Sequence, residues 1–316
     1  MGEKQKVIVI IGPTAVGKTK LSVELAKRVN GEIISGDSMQ IYKEMDIGTA
    51  KVTHEEMQGV PHYLIDIKEP TEPYSVAEFQ QDVRKLIQNI TQKGCVPIIA
   101  GGTGLYIQSV LYDYQFSDTG KDEEIRLRIE KQVLEQGIEE VYEELRRIDP
   151  ISAENIHPNN VRRVIRALEV FYSTGKTMTE YQQSQNQELL YDVAYVGLTM
   201  DRETLYDRIN LRVDLMVKEG LLEEVEKLYR KGIRECQSIQ AIGYKEIYAY
   251  FDGKVTKEQA VDALKQNSRR YAKRQLTWFR NKMDVTWFDM TDADFEEKLD
   301  EIFSFVAGKL KLEANK

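Results

Sequence analysis

The stretch VIVIIGPTAVGKTKLSVELAKRV, residues 7–29, decides the fold class of the first third of the chain. A short apolar run predicts a buried strand, and the amphipathic pattern after it predicts a helix. Residues 12–19 between them match GxxxxGK[ST], which is typical of a phosphate-binding loop. Backbone N–H groups, the helix dipole and the Lys18 ammonium favour a bound anion, and the Thr19 hydroxyl is suited to ligate Mg²⁺. The predicted phosphate contacts are Gly12, Pro13, Thr14, Ala15, Val16, Gly17, Lys18 and Thr19.

Strand and helix patterns alternate through the first third of the chain. The apolar runs EIIS (32–35), YLIDI (63–67) and VPIIA (96–100) are separated by patterns such as VAEFQQDVRKLIQNITQ (76–92). Such alternation predicts an α/β fold with a parallel sheet flanked by helices.

Strand patterns disappear from about Asp122 to Gln187, where charged amphipathic stretches predict an all-helical insertion. They return in VAYVGLTM (193–200) and VTWFDM (285–290). We therefore predict a phosphate-loop α/β core at residues 1–115, a helical insertion at 116–190, and the second part of the core, with a long basic helix, at 191–316.

Composition limits the function classes. The net charge of −8 argues against a general nucleic-acid coat protein. No apolar run is long enough to span a membrane, and the cysteines form no close pair, so we expect a cytoplasmic protein without disulfides or a zinc ribbon. The region between Asp262 and Asp284 contains no acidic residue. It carries Lys265, Arg269, Arg270, Lys273, Arg274, Arg280 and Lys282, which form either a solvated helix face or a nucleic-acid surface.

Two further stretches bring polar side chains to the carboxyl edge of the predicted sheet, beside the phosphate loop. GEIISGDSMQIY delivers Asp37 and Ser38, and IIAGGTGLYIQ delivers Thr103. Three roles remain open for Asp37: metal ligand, general base, or cap of the following turn. Thr103 either caps a helix or serves the site.

The chain is not predicted to be a GTPase. NKMD, residues 281–284, matches a guanine-reading pattern, but it ends a helix instead of a strand, and no DxxG is present.

Several motifs together resemble the tRNA dimethylallyltransferases, also called tRNA isopentenyltransferases. They are GPTAVGKT (12–19), GDSMQIYKEMDIGTAK (36–51), PHYLIDI (61–67) and IIAGGTGLY (98–106). HPNNVRRVIRALEV (157–170), SIQAIGYKEI (238–247) and RRYAKRQLTWFRN (269–281) resemble later blocks of that family. The resemblance spans about Val7 to Phe288. Because the chain lacks the Cys/His zinc finger of eukaryotic relatives, it is similar to the bacterial form.

The resemblance implies a reaction. The loop and Mg²⁺ would hold the diphosphate of dimethylallyl diphosphate, and the allyl group would move to the exocyclic amine of the adenosine 3′ to a tRNA anticodon. Asp37 would act as general base, with Thr103, Lys18 and Arg270 as further catalytic residues. The expected contacts to the tRNA anticodon loop are Asp37, Ser38, Met39, Gln40, Thr103, Arg126, Arg162, Arg163, Val164, Ile165, Arg166, Lys273 and Arg280.

Three other functions are considered. A small-molecule kinase shares the loop and an inserted lid, but it does not require GDSMQIY, GGTGLY or the acid-free helix. An enzyme that alkylates free adenine nucleotide would not need the basic blocks, and a non-catalytic RNA-binding module would not need the phosphate loop. A monomer is the default expectation.

Overall fold

The computed structural model describes residues 4–116, 123–184 and 188–312. It divides into two compact units, Met1–Leu111 with Leu189–Lys316 and Tyr112–Glu188. The boundaries predicted from sequence were 116 and 190.

The first unit is built on a six-stranded sheet in the described residues, with the order β3-β2-β4-β1-β5-β6 and every pair parallel. The strands are β1 (Lys6–Ile11), β2 (Gly31–Ser35), β3 (His62–Tyr63), β4 (Val96–Gly101), β5 (Asp192–Thr199) and β6 (Thr286–Asp289). Its helices before the insertion are α1 (Lys18–Val29), α2 (His54–Met57), α3 (Val76–Gln92) and α4 (Gly104–Leu111). The α/β fold class is confirmed.

The sheet register positions the site. Ile11 of β1 lies beside Gly101 of β4, and Ser35 of β2 lies beside Ala100. Because parallel strands end at the same edge, the loops that follow β1, β2 and β4 meet there. The loops after β2 and β4 approach each other closely, since a Cβ on Gly101 would lie 2.3 Å from the backbone of Gly36.

One predicted strand is much shorter than expected. YLIDI forms a strand only through Tyr63, because Leu64 and Asp66 have φ angles of 61° and 55°. Left-handed residues turn the chain out of an extended conformation. The prediction of a strand over residues 63–67 is therefore wrong beyond its first residue.

The second unit is helical. It contains α5 (Glu123–Gln136), α6 (Ile138–Ile148), α7 (Pro150–Asn155), α8 (Val161–Thr174) and α9 (Met178–Gln183). Its core includes Ile129, Val141, Leu145, Val164 and Leu168, which are at most 1% exposed. The insertion therefore has an apolar core of its own.

After the insertion, the first unit resumes with β5, and four α-helices among the described residues precede β6. They are α10 (Arg202–Lys218), α11 (Leu221–Arg230), α12 (Tyr244–Phe251) and α13 (Lys257–Lys282), and β6 and α14 (Phe295–Leu310) follow. None of the helices that the structure describes is both long and apolar enough to cross a membrane.

Candidate active site

The phosphate loop links β1 to α1. Ala15 and Gly17 have φ angles of 67° and 106°, so the loop bends through left-handed conformations that favour glycine or a small side chain. Lys18 Nζ donates to the carbonyl oxygens of Gly12 (3.0 Å) and Pro13 (2.7 Å). The ammonium group is thus held over the loop, where an anion would lie.

Two arginines of α10 join this positive site. Arg208 and Arg212 line the same cavity as Lys18, which has a volume of about 630 Å³. Arg208 Nε donates to the carbonyl oxygen of Ala15 at 3.0 Å. Burial, followed by repulsion from Arg212, lowers the pKa of Lys18 to about 8, against the attraction of Asp37. Such crowding of cations in a shielded cavity is suited to bind a multiply charged anion.

Asp37 follows β2 and lines this cavity. Its Oδ1 accepts a hydrogen bond from the backbone N–H of Met39 at 2.8 Å, so it caps the turn, as one of the sequence interpretations held. Burial raises the pKa of Asp37, while the Met39 N–H and Lys18 oppose the rise. A carboxylate with a raised pKa is a stronger base than an exposed one.

Thr103 connects the loops after β2 and β4. Its Oγ1 accepts from the backbone N–H of Ser38 at 3.3 Å, although its own side chain does not line the cavities. Tyr271 of α13 is close to this pair. Its pKa is raised to about 12, first by burial and then by Asp37, with a hydrogen bond to Thr103 acting in the opposite direction.

Gln275 of α13 ties the same loops together. Its Oε1 accepts from the Thr14 N–H at 3.0 Å, and its Nε2 donates to the Gly102 carbonyl at 3.1 Å. A Cβ on Gly102 would lie 2.0 Å from Nε2, so any larger residue there would displace the Gln275 amide. One buried amide thereby fixes the phosphate loop against the turn after β4.

A second cavity, of about 340 Å³, adjoins the first. Residues common to both linings are Thr14, Asp37, Thr49, Ala50, Arg212, Met216 and Tyr271. Asp37 thus lies where a cationic cavity meets a second one, which includes Met39, Ile209, Val213 and Leu264.

Known proteins are similar to this chain in sequence and in fold. The model of the family described as IPP transferase matches residues 40–282. A tRNA dimethylallyltransferase of Bacillus cereus strain Q1 is 67% identical over 100% of this chain and 99% of the relative, and one of Bacillus anthracis strain A0248 has the same identity and coverage. This chain belongs to the IPP transferase family.

Solved structures agree with this membership. A tRNA isopentenylpyrophosphate transferase from Bacillus halodurans is 57% identical, with a TM-score of 0.75 over 98% of this chain and 97% of that one. A eukaryotic dimethylallyltransferase acting on tRNA is 33% identical, with a TM-score of 0.79 over 91% of this chain and 74% of that one.

In this IPP transferase, most of the predicted core residues meet at one edge of the sheet. The lining of the two cavities includes Thr14, Ala15, Gly17, Lys18, Thr19, Asp37, Ser38, Met39 and Gln40. Gly12 and Pro13 contribute the carbonyls that hold Lys18. Val16 is 2% exposed and packs into the core instead.

Arg270 was predicted as a catalytic residue, and this stays a prediction. It is exposed on α13 and belongs to the lining of neither cavity, whereas Tyr271, Arg274 and Gln275 of the same helix do line them. Arg208 and Arg212 of α10 line the cavity at the phosphate loop, and their spacing of four residues on one helical face was the signal in the sequence.

The predicted RNA contacts on α13 and in the insertion divide by exposure. Lys273, Arg280, Arg162, Arg163 and Arg166 are exposed, and Arg126 is partly buried and pairs with Glu130 at 2.9 Å.

Val164 and Ile165 were also predicted as RNA contacts, and this stays a prediction. They are 0% and 4% exposed, and their side chains pack in the core of the insertion. On a helix with one apolar face, residues between exposed arginines turn inward.

Proposed function

We propose that this chain transfers the dimethylallyl group of dimethylallyl diphosphate to the exocyclic amine of the adenosine 3′ to a tRNA anticodon. One observation carries the proposal: Asp37 lies at the junction of two cavities, one of which contains Lys18, Arg208 and Arg212. A base at such a junction can meet an acceptor from one side and a leaving group from the other.

The cationic cavity accounts for the leaving group. As the allylic carbon–oxygen bond breaks, negative charge grows on the diphosphate and positive charge on the carbon. The phosphate-loop N–H groups, Lys18 and the two arginines of α10 stabilise the departing diphosphate. No phosphoryl group is transferred, so the loop serves an alkyl transfer.

Asp37 accounts for the acceptor. The adenine amine is a weak nucleophile because its lone pair is delocalised into the ring. As the new carbon–nitrogen bond forms, the Asp37 carboxylate takes the amine proton, and its raised pKa suits it to that task. Thr103 holds Ser38 and the turn that carries Asp37 in place.

Thr19 lines the cavity beside the phosphate loop, and its hydroxyl would be the ligand that the protein supplies to Mg²⁺. In the residues that the structure describes, no cluster of three or more His, Cys, Asp or Glu could hold a metal by itself. Mg²⁺ keeps several waters and binds substrate phosphates, so Thr19 would hold it together with the diphosphate. When bound, Mg²⁺ would neutralise charge on the diphosphate.

The acceptor adenine must leave the anticodon-loop stack, which costs a few kcal/mol. Contacts to the RNA backbone would offset this cost. The exposed cations Lys273 and Arg280 on α13, and Arg162, Arg163 and Arg166 in the insertion, are suited to supply them.

The test is to incubate the purified protein with Mg²⁺, unmodified tRNA and radiolabelled dimethylallyl diphosphate, without ATP. We expect label in the tRNA, at the adenosine 3′ to the anticodon. A reaction that depends on ATP would indicate a kinase, and label in free adenine nucleotide but not in tRNA would indicate alkylation of the mononucleotide. Inhibition of the transfer by ATP at high concentration would agree with the proposal, because ATP can occupy the same loop.

A further inference from the structure

The segment 46–51, DIGTAK, forms a wall of both cavities, and we call it the wall loop. Thr49 and Ala50 line the junction of the cavities, Gly48 lines the smaller one, and Asp46, Ile47 and Lys51 line the larger one. The position of this loop therefore sets the width of the space in which the two substrates would meet.

A carboxylate from a distant helix holds the wall loop. Glu224, on α11, accepts hydrogen bonds from three consecutive backbone N–H groups. Its Oε2 accepts from Asp46 at 2.9 Å and Ile47 at 2.8 Å, and its Oε1 accepts from Gly48 at 3.0 Å. Successive N–H groups that converge on one anion fix the backbone dihedral angles between them.

Tyr244 of α12 completes this arrangement. Its hydroxyl donates to Glu224 Oε1 at 2.6 Å, and its ring packs so closely on Gly48 that a Cβ there would lie 2.6 Å away. Tyr244 is 0% exposed, so both Glu224 and the wall loop rest on a rigid part of the core.

The wall loop in turn contacts a residue that follows Asp37. Gln40 Nε2 donates to the carbonyl oxygen of Ala50 at 3.1 Å, and Gln40 lines the larger cavity. A shift of the wall loop therefore moves Gln40 as well as Thr49 and Ala50. Each of these residues lies within a few positions of the proposed base or lines the same cavity.

We propose that Glu224 is a positioning residue for the transfer, which acts through the wall loop and touches neither substrate. The expected effect of Glu224 on the transfer rate rests on the proposed function. Without the carboxylate, three N–H groups lose a charged acceptor, which is costly wherever water cannot replace it.

Other contacts preserve the fold when Glu224 is replaced. Lys51 Nζ donates to the Tyr42 carbonyl at 2.7 Å and pairs with Asp46 and Asp66 at 2.5 Å each. The Asp46 pair lies within the wall loop, and the bonds to Tyr42 and Asp66 keep the end of the loop at Lys51 attached to neighbouring segments. The expected result of the substitution is a local displacement of the wall loop with the phosphate loop unchanged.

The test compares E224Q with E223Q, a neighbour on α11 that is exposed and carries the same charge change. Amide hydrogen exchange measures whether the N–H groups of residues 46–48 are released. Calorimetry with inorganic pyrophosphate measures the phosphate site. Single-turnover transfer at saturating tRNA and dimethylallyl diphosphate measures the chemical step.

For E224Q we expect faster exchange at residues 46–48 and a pyrophosphate affinity within about twofold of wild type. The transfer rate should be about 10- to 100-fold lower, because a small misplacement of the reacting groups has an effect of that size. E223Q should match wild type in all three. Y244F, which removes only one donor, should give a smaller loss of rate than E224Q.

Unchanged exchange in E224Q would refute the holding role, and faster exchange with an unchanged transfer rate would refute the positioning role. A fall in pyrophosphate affinity equal to the fall in rate would also refute it, because the damage would then be general. If wild-type protein labels no tRNA, the proposed function fails, while the exchange comparison still decides whether Glu224 holds the wall loop.

Discussion

The carboxyl edge of the sheet and helix α8 of the insertion both present charged residues, but their surroundings differ. At the sheet edge, Lys18 and Asp37 are shielded in a cavity, and burial displaces the pKa of each. On α8, Arg162 and Arg163 are exposed, and the opposite face packs Val164 and Leu168 into a core. Shielded charges suit bond breaking, whereas exposed charges on a stable helix suit a large polyanion.

Asp37→Asn gives the largest expected effect. Asparagine keeps an oxygen that can accept from Met39 N–H, so the turn should survive, but the base is lost. We expect the single-turnover rate to fall about 10²- to 10⁴-fold, with substrate affinities changed only a few-fold. If the rate instead recovers when the Mg²⁺ concentration is raised, Asp37 is a metal ligand. The shielded carboxylate at the sheet edge would then act through a metal and not as a base.

Charge reversal on α8 comes next. Replacing Arg162, Arg163 and Arg166 by glutamate should reduce the slope of log affinity for tRNA against log salt by about two units, if each arginine meets one phosphate. The rate at saturating tRNA should stay near that of wild type.

The matched control reverses Lys131, Arg146 and Arg147 on α5 and α6, which carries the same change of net charge. An equal loss of slope in the control would show that net charge, and not the α8 surface, governs RNA binding.

The pH dependence of diphosphate binding tests the shielded cavity. With a pKa of about 8 in the free protein, Lys18 is protonated below that pH and neutral above it. A bound diphosphate favours the protonated form, so binding above pH 8 must take up a proton. Affinity for pyrophosphate should be constant just below pH 8 and should fall about tenfold per pH unit above it. Titration calorimetry measures this, and K18M should abolish the dependence.

Ile165→Val gives the smallest expected effect and tests the difference between the buried and the exposed face of α8. Removing one buried methylene group should lower the free energy of unfolding of the insertion by about 0.5–1.5 kcal/mol. The salt slope for tRNA binding should not change. Thermal melting and the salt titration check this, and a weaker salt dependence without loss of stability would restore Ile165 as an RNA contact.

Part of the fold could be predicted because the relevant patterns are local. The pattern VAEFQQDVRKLIQNITQ coincides with α3, and the runs around β1, β2, β4 and β5 are strands. The prediction of a strand over YLIDI failed because the φ angles of Leu64 and Asp66 depend on the loop in which these residues lie. Apolar composition does not encode those angles. The alternation predicted parallel strands, so Asp37 and Thr103 could be assigned to the carboxyl edge beside the phosphate loop, whereas the register of β1, β2 and β4 came from the structure.

The sequence by itself determined the phosphate loop, the α/β alternation, the inserted helices and the residues at the strand ends, since each depends on periodicity or on a short motif. Only the tertiary structure decided which faces of the long helices turn toward the site. It assigned Arg208, Arg212, Tyr271 and Gln275 to the cavities, and it joined Glu224 to a loop about 180 residues earlier in the chain. An amphipathic pattern identifies the buried face of a helix, but the packing of the whole core selects the neighbour that this face meets.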